Sequence, residues 1–473
     1  MASFTANNDH RHAIIPFDAA QDAQAGGSKV IEALVSNVPG LKLFTRTSPR
    51  FEALRAVYNT LITSQPLVVC RPTTVEQVQG IVKTVARSGT QIAVRCGGHD
   101  VWGRGCVADS VTIDMRELDS QKLAEDKTSI TVGGGVTSDN FVAFLDTHGL
   151  CTAQGTASTV GWTGWALWGG YGPFNDYVGL GVDNILAAKV VTADGSLVQA
   201  DDELLWGIRG AGGNLGVIVE TQVKVYSMPK ILAGFIGYAW EDAEKVLLGL
   251  QQLLDQGAPD ALCVQMGFMK SEWGLGATLI FIWPDSENLA EGRKWMDKVT
   301  SLGTVVVNTT SETTFQQFRS RLPDYDPANV YTRSASFPKF TSATVRQILK
   351  QIEAIPDETK QYVAVAHIGH GKGTRPNPAS CFGTRQPHVL LHINACEDEP
   401  AEMEGGAVPW VDTLVSNLRA TGELMKPAYV SFMGEDESTH ESFGDNWGRL
   451  KQLKKRVDGK DVFGTAQPRL PVA

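Results

Sequence analysis

The chain has 473 residues, 42% of them hydrophobic and 20% charged, with a formal net charge of −10. That length exceeds what one hydrophobic core organises, so two or three domains are expected. The acidic balance and the lack of Lys/Arg-rich runs argue against nucleic acid or an anionic membrane surface as partner, and no stretch nears the ~20 uninterrupted apolar residues of a membrane span.

The opening MASFTANNDHRHAII lacks the basic region and apolar core of a signal peptide, so a cytoplasmic location is expected. Residues 1–50 read as a polar lead-in with one short helix near Lys29–Ser36. PLVVC then predicts a buried strand, and TTVEQVQGIVKTVARSG a helix opened by a Thr73/Glu76 capping box, with Val75, Val78, Val82 and Val85 on one face. QIAVR is the next strand. This strand–helix–strand unit delivers Gly97-Gly98-His99 to a strand's C-terminal end, a favoured ligand position in α/β folds.

VTIDM and SITVGGG read as further strands and SDNFVAFLDTHG as a helix, followed by the densest glycine segment, Gln154 to Gly172. NILAAKVVTADGSLVQA predicts a hairpin turning at Asp194-Gly195, and ELLWGIRGAGGNLGVIVETQVKVY a glycine turn leading into a long strand. After Pro229 glycines thin out, and alternating strands and amphipathic helices run to about residue 430. SFGDNWGRLKQLKKRVDGKDVF closes the chain as a polar-faced helix and a tail.

Seven cysteines without a CxxC pair support neither a disulfide framework nor a zinc ribbon, and no metal site is expected. His367 and His370 lack the glutamate of HExxH and lie in a strand-like stretch. Gly210, Gly212, Gly213 and Gly216 look superficially like a dinucleotide fingerprint. They run into a strand, however, whereas that fingerprint needs a helix N-terminus facing the pyrophosphate. Trp162, Trp165 and Trp168 are interleaved with Gly161, Gly164, Gly169 and Gly170, a pattern that core packing alone does not explain.

In order along the chain, PLVVCRPTTVEQVQ, VRCGGHD, IDM, GTASTVGWTGWALWGGYG, VVTADG, LLWGIRGAGGNLGVI and NWGRLKQLKKRVDGKDVF resemble the vanillyl-alcohol-oxidase superfamily, with its PCMH-type FAD-binding domain, in the berberine-bridge-enzyme-like branch. The resemblance implies an α+β fold: a two-part FAD-binding domain over 51–228, an antiparallel-sheet substrate domain with flanking helices over 229–430, and a segment 431–473 returning to the FAD domain. It implies FAD bonded through its 8α-methyl to His99. Arg95, Cys96, Gly97, Gly98 and Asp100 would lie around the pyrophosphate turn, where glycine lets backbone N–H groups approach phosphate. Thr156, Ala157, Thr159, Val160, Gly161, Gly164, Gly170 and Gly172, then Gly216, Val217 and Val219, would complete the cofactor's surroundings, with Asn446 near the flavin's pyrimidine edge.

Many relatives tether the flavin a second time through a cysteine where Ala157 stands, so a single histidyl link is implied here. Val160 falls where a small residue admits oxygen, a feature of oxidases. VYTRS puts Tyr331 and Arg333 on one strand face, as general base and anion or phenol partner, and YVAVAHIGH offers Tyr362 or His367. Trp165 and Trp168 are the expected pocket aromatics. The function implied is a covalent FAD oxidase. Hydride passes from a small, aromatic secondary metabolite (alcohol, phenol or amine) to flavin N5, and O2 becomes H2O2, with oxidative ring closure as an added outcome. A redox-neutral cyclase or isomerase on the same scaffold and a carbohydrate oxidase are the alternatives. Partners are the small substrate and O2, and the protein is a monomer or weak homo-oligomer.

Overall fold

The computed structural model describes residues 17–472 apart from 25, 323–324, 435 and 467–468; the stretch read for a signal peptide lies outside the described residues. Three sheets organise the chain. The first is four-stranded, in the order Lys42–Thr45, Val68–Arg71, Val111–Asp114, Ile92–Arg95, with the last three parallel. Its strands are short and buried on nearly every residue, as parallel strands covered on both faces must be. The helix Val75–Ser88 crosses over it and buries Val78, Ile81, Val82 and Val85. The cap sits one residue later than the sequence suggests: Thr74 accepts from Gln77 N, while the Gln77 side chain reaches back to Thr73 N at 2.8 Å. Glu76 is exposed and takes no part in that reach-back, its carboxylate being held by the Thr74 side chain and its own backbone N–H.

Lys42–Thr45 pairs with Val68–Arg71, and the helix Lys29–Asn37 packs its Val30, Ile31 and Leu34 into the same core. The described lead-in from Lys29 onward is thus part of this layer. Most of its apolar residues fall on the inward faces, Val35 being exposed.

The second sheet is antiparallel and five-stranded: Gln121–Leu123, Ser129–Gly133, Val217–Lys224, Ile185–Val191, Leu197–Gln199. The last two form the hairpin at Asp194-Gly195, where Gly195 takes φ +83°. The 210–216 glycines do run into a strand, Val217–Lys224, but only after a helix, Asp202–Ala211, that the glycines obscured in the sequence.

The third sheet begins with Ile231–Tyr238, just past Pro229. Its order is Val305–Asn308, Ile231–Tyr238, Gly274–Trp283, Cys263–Ser271, Gln361–Gly369, His388–Glu397, Asn329–Phe337, all antiparallel, with Ser311–Thr313 also pairing to Ile231–Tyr238. Helices Ala243–Asp255, Ser342–Glu353 and Ala407–Ala420 bury one face of it around Val246, Leu250, Ile348, Trp410 and Leu414. The opposite face looks toward the other two layers; the short helix Phe315–Arg319 covers it at Ile231, Ala233 and Phe235 through Phe315 and Phe318. The helix Trp447–Val457 then brings the chain back: Lys454 Nζ donates to Asn214 O at 3.0 Å, and Phe463 joins the core of the first sheet. Among the described residues no helix is long and apolar enough to cross a membrane.

Candidate active site

A cavity of about 380 Å³ runs between the turn that follows Ile92–Arg95 and the open face of the third sheet. On the first side stand Arg95, Cys96, Gly97, Gly98, His99 and Asp100. Gly98 takes φ +75°, and Asp100 folds the turn by accepting from Trp102 N and Arg104 N at 3.1 and 2.8 Å. His99 Nε2 lies 2.6 Å from Thr159 Oγ1, and its ring stacks on Tyr58 at 4.8 Å. Tyr58 N donates to Gly98 O, so this ring is tied to the same turn.

The segment 155–164 forms the adjoining wall. It is pinned from behind by the helix Ser138–Asp146, whose Ser138 N and Asp139 N donate to Val160 O and Ser158 O at 2.9 Å. A Cβ on Gly97 would meet Gly161 N at 2.3 Å and Thr159 O at 2.4 Å, so only glycine lets these two backbones touch at the cavity edge. A Cβ on Gly164 would meet nothing within 4 Å: it opens onto free space on the wall. Val94, 38% exposed on this wall, and Phe463 beside it offer apolar surface. Glycine-lined backbone, an open cradle and flat apolar surface together fit a dinucleotide carrying ring systems, which is FAD's chemistry.

Thr156, Ala157, Val160, Gly161, Gly164, Trp165 and Trp168 line the cavity. Trp162 does not; it is fully buried, its indole donating to Ala153 O at 2.9 Å. Gly170, Gly172, Gly216, Val217 and Val219, expected at the cofactor, are absent from the cavity wall. Gly170 packs on Gly181, Gly172 on Gln154 O and Gly216 on Val190 and Val191, while Val217 and Val219 are core residues of the first layer. Asn446 also stands off the wall, donating to Cys381 O at 2.9 Å.

The sheet side is set by strand register. Residues Gln265, His367 and Leu390 are direct cross-strand neighbours, as are Val365 and His392, with Asn394 two residues further on. All six line the cavity, one side-chain row deep on alternate positions. Tyr331 and Arg333 pair instead with Ala395 and Ile393, in rows that face the helices. Tyr331 Oη donates to Asp412 on the helix Ala407–Ala420, and Arg333 is clamped by Asp436 at 2.8 Å. Their period of two is as expected, but the phase is wrong by one residue, which moves both to the far face. Tyr362 shares that face and is buried against Trp410.

Gln265 Nε2 donates to His367 Nδ1 at 3.0 Å, leaving the proton of the neutral ring on Nε2. Burial, reinforced by His388, holds the His367 imidazole down at about 4. His392 lies flat on Phe432, centroids 4.1 Å apart and planes 11° apart. Burial, then the neighbouring His367, lowers it to about 3, against a hydrogen bond that the ring donates to the Asn394 side chain. Asn394 Oδ1 in turn accepts from Thr332. His392 Nε2 is buried without a partner. Tyr171, Tyr429 and Phe432 close the end, with Tyr171 Oη 2.7 Å from His388 Nε2. His392, Asn394 and Gln265 escaped the sequence reading, although VLLHINACE does carry its histidine and asparagine at period two among apolar residues.

Family comparison agrees with this architecture. The family described as FAD binding domain matches residues 66–201, and that described as Berberine and berberine like matches 428–468. FAD-linked oxidoreductase aurO of Gibberella zeae is 52% identical over 98% of this chain and 92% of its own. Among solved structures, 6-hydroxy-D-nicotine oxidase from Arthrobacter nicotinovorans superposes with a TM-score of 0.82 at 21% identity, covering 91% of this chain and 98% of that one. Chitooligosaccharide oxidase does so with 0.79 at 23%, covering 93% and 98%. The chain belongs to the berberine-bridge-enzyme-like branch of the vanillyl-alcohol-oxidase superfamily. It is an FAD-linked oxidoreductase.

Proposed function

We propose that the protein is a covalent FAD oxidase acting on a small, flat aromatic metabolite. The observation that carries this is the continuity of one cavity from the His99 turn to the His367/His392 sheet face. The chemistry FAD supplies when bound is two-electron oxidation, a hydride passing to N5 with dioxygen as final acceptor and hydrogen peroxide as product.

The residues divide that work. His99, oriented by Thr159 and braced by Tyr58, is the tether. Ala157 offers no second thiol, and the nearby Cys96 and Cys151 are poor nucleophiles, since burial pushes both thiols up to about 12. Trp165, Tyr171, Tyr429 and Phe432 exclude water and present flat surfaces. His367 and His392 handle the substrate's polar end.

The test is anaerobic mixing with aromatic alcohols, phenols and amines, followed by a peroxide-coupled assay in air. An oxidase substrate bleaches the flavin band and yields peroxide. A redox-neutral cyclase or isomerase would leave the band unchanged at completion, and glucose or an oligosaccharide as best substrate would favour the carbohydrate alternative.

A further inference from the structure

We propose that the substrate presents a neutral hydroxyl to the sheet, held between His367 Nε2–H as donor and His392 Nε2 as acceptor, and that carboxylate and ammonium compounds are rejected there. This rests on reading the cavity as the substrate site. The sheet face fixes the two partners separately. Gln265 occupies His367 Nδ1, so that ring's remaining group is an N–H. His392 is paired through Asn394 and backed by Phe432, and its Nε2 has no partner. A buried acceptor left unsatisfied costs about 1–3 kcal/mol, so a ligand that donates to it gains that much selectivity. One donor and one acceptor side by side are what a hydroxyl satisfies by itself.

Charge sharpens the choice. Among the described residues, the charged side chains lining the cavity are Arg95, Asp100 and Arg104, all on the turn side. Arg104 is 3.3 Å from Asp100 and donates to the carbonyls of Val430 and Met433; Arg95 donates to Leu54 O. Nothing ionised faces the substrate from Gln265, Ile280, Val365, His367, Leu390, His392 or Asn394. An ammonium would be buried there with no counter-charge, and a carboxylate with no free cation.

Calorimetric titration of the purified flavoprotein at pH 7 with three ligands of one ring system tests this: 2-naphthol, 2-naphthoate and protonated 2-naphthylmethylamine. The expected result is that 2-naphthol binds about tenfold or more tightly than either ion, and that His392→Phe, which keeps a ring on Phe432 but removes the acceptor, erases about tenfold of its affinity. An ion binding as tightly as 2-naphthol, or no binding of 2-naphthol, overturns the proposal. Should His392→Phe not fold, the wild-type ranking decides alone. Because heat of binding is read whether or not oxidation follows, absence of peroxide formation would count against the oxidase reading and leave this ranking intact.

Discussion

His99 and Thr159 come from segments 60 residues apart and meet at 2.6 Å, Nε2 to Oγ1, with Tyr58 flat against the other side of the imidazole. The ring is therefore fixed before any cofactor arrives. Acid-precipitated protein is expected to stay fluorescent, and peptide mapping to place the flavin on the peptide containing His99. Thr159→Val should slow covalent incorporation of added FAD, since the ring loses its orienting partner. A cysteinyl-flavin peptide in the map would defeat the single-tether reading.

Val160 lines the cavity, and its carbonyl is held by Ser138 N, so the backbone has little room to retreat. Val160→Leu should slow reoxidation of the reduced enzyme by oxygen while leaving reduction by substrate nearly unchanged. Stopped-flow mixing measures both. Equal reoxidation rates would remove Val160 from this role.

The three tryptophans should separate by phenotype. Trp162→Ala opens a cavity in a closed core and is expected to cost about 3–5 kcal/mol in denaturant unfolding. Trp168→His changes a cavity wall and should weaken aromatic ligands more than it alters stability. Similar stability losses for both would place Trp168 in the core as well.

Tyr331→Phe should leave the rate of flavin reduction within about twofold, because the phenol meets Asp412 on the helix side. Arg333→Met strands the half-buried Glu437 and should lower stability by about 1–3 kcal/mol, discounted for the exposure of Asp436. A large loss of catalytic rate in Tyr331→Phe would restore the phenol as a candidate base.

Acid should destabilise the fold through the sheet histidines. Their folded values, about 4 for His367 and about 3 for His392, lie below the ordinary 6.5. Below pH 6.5 the unfolded chain takes up protons that the folded one refuses, so stability falls with pH until those lower values are reached. His367→Asn should flatten the unfolding free energy between pH 6.5 and 4. An unchanged slope would contradict the assignment.

Patterning made much of this legible. The helix Val75–Ser88 announces itself through valines at helical spacing, and the hairpin at Asp194-Gly195 through its turn chemistry. The turn bearing His99 follows from two glycines after a strand. The sheet residues were harder, because alternation identifies two faces but does not say which one a helix will cover. Tyr331 and Arg333 are as polar as His392 and Asn394, yet Asp412 and Asp436 give them partners on the covered side. Only long-range register separates the two pairs. The glycines at 170, 172 and 216 show the same limit: each is required by a neighbouring backbone or side chain, and nothing local distinguishes that need from closeness to a ligand.

Ile92 N donates to Val462 O, Thr465 Oγ1 donates to Ile92 O, and Phe463 and Ala466 complete the cavity wall. Strand Ile92–Arg95 is translated early, whereas these partners leave the ribosome only after the whole third sheet has been made. The cavity wall is thus incomplete until residues 462–466 have been made, and FAD loading is expected only after them. Ribosome-bound chains stalled before Val462 should capture no FAD, even with both domains emerged.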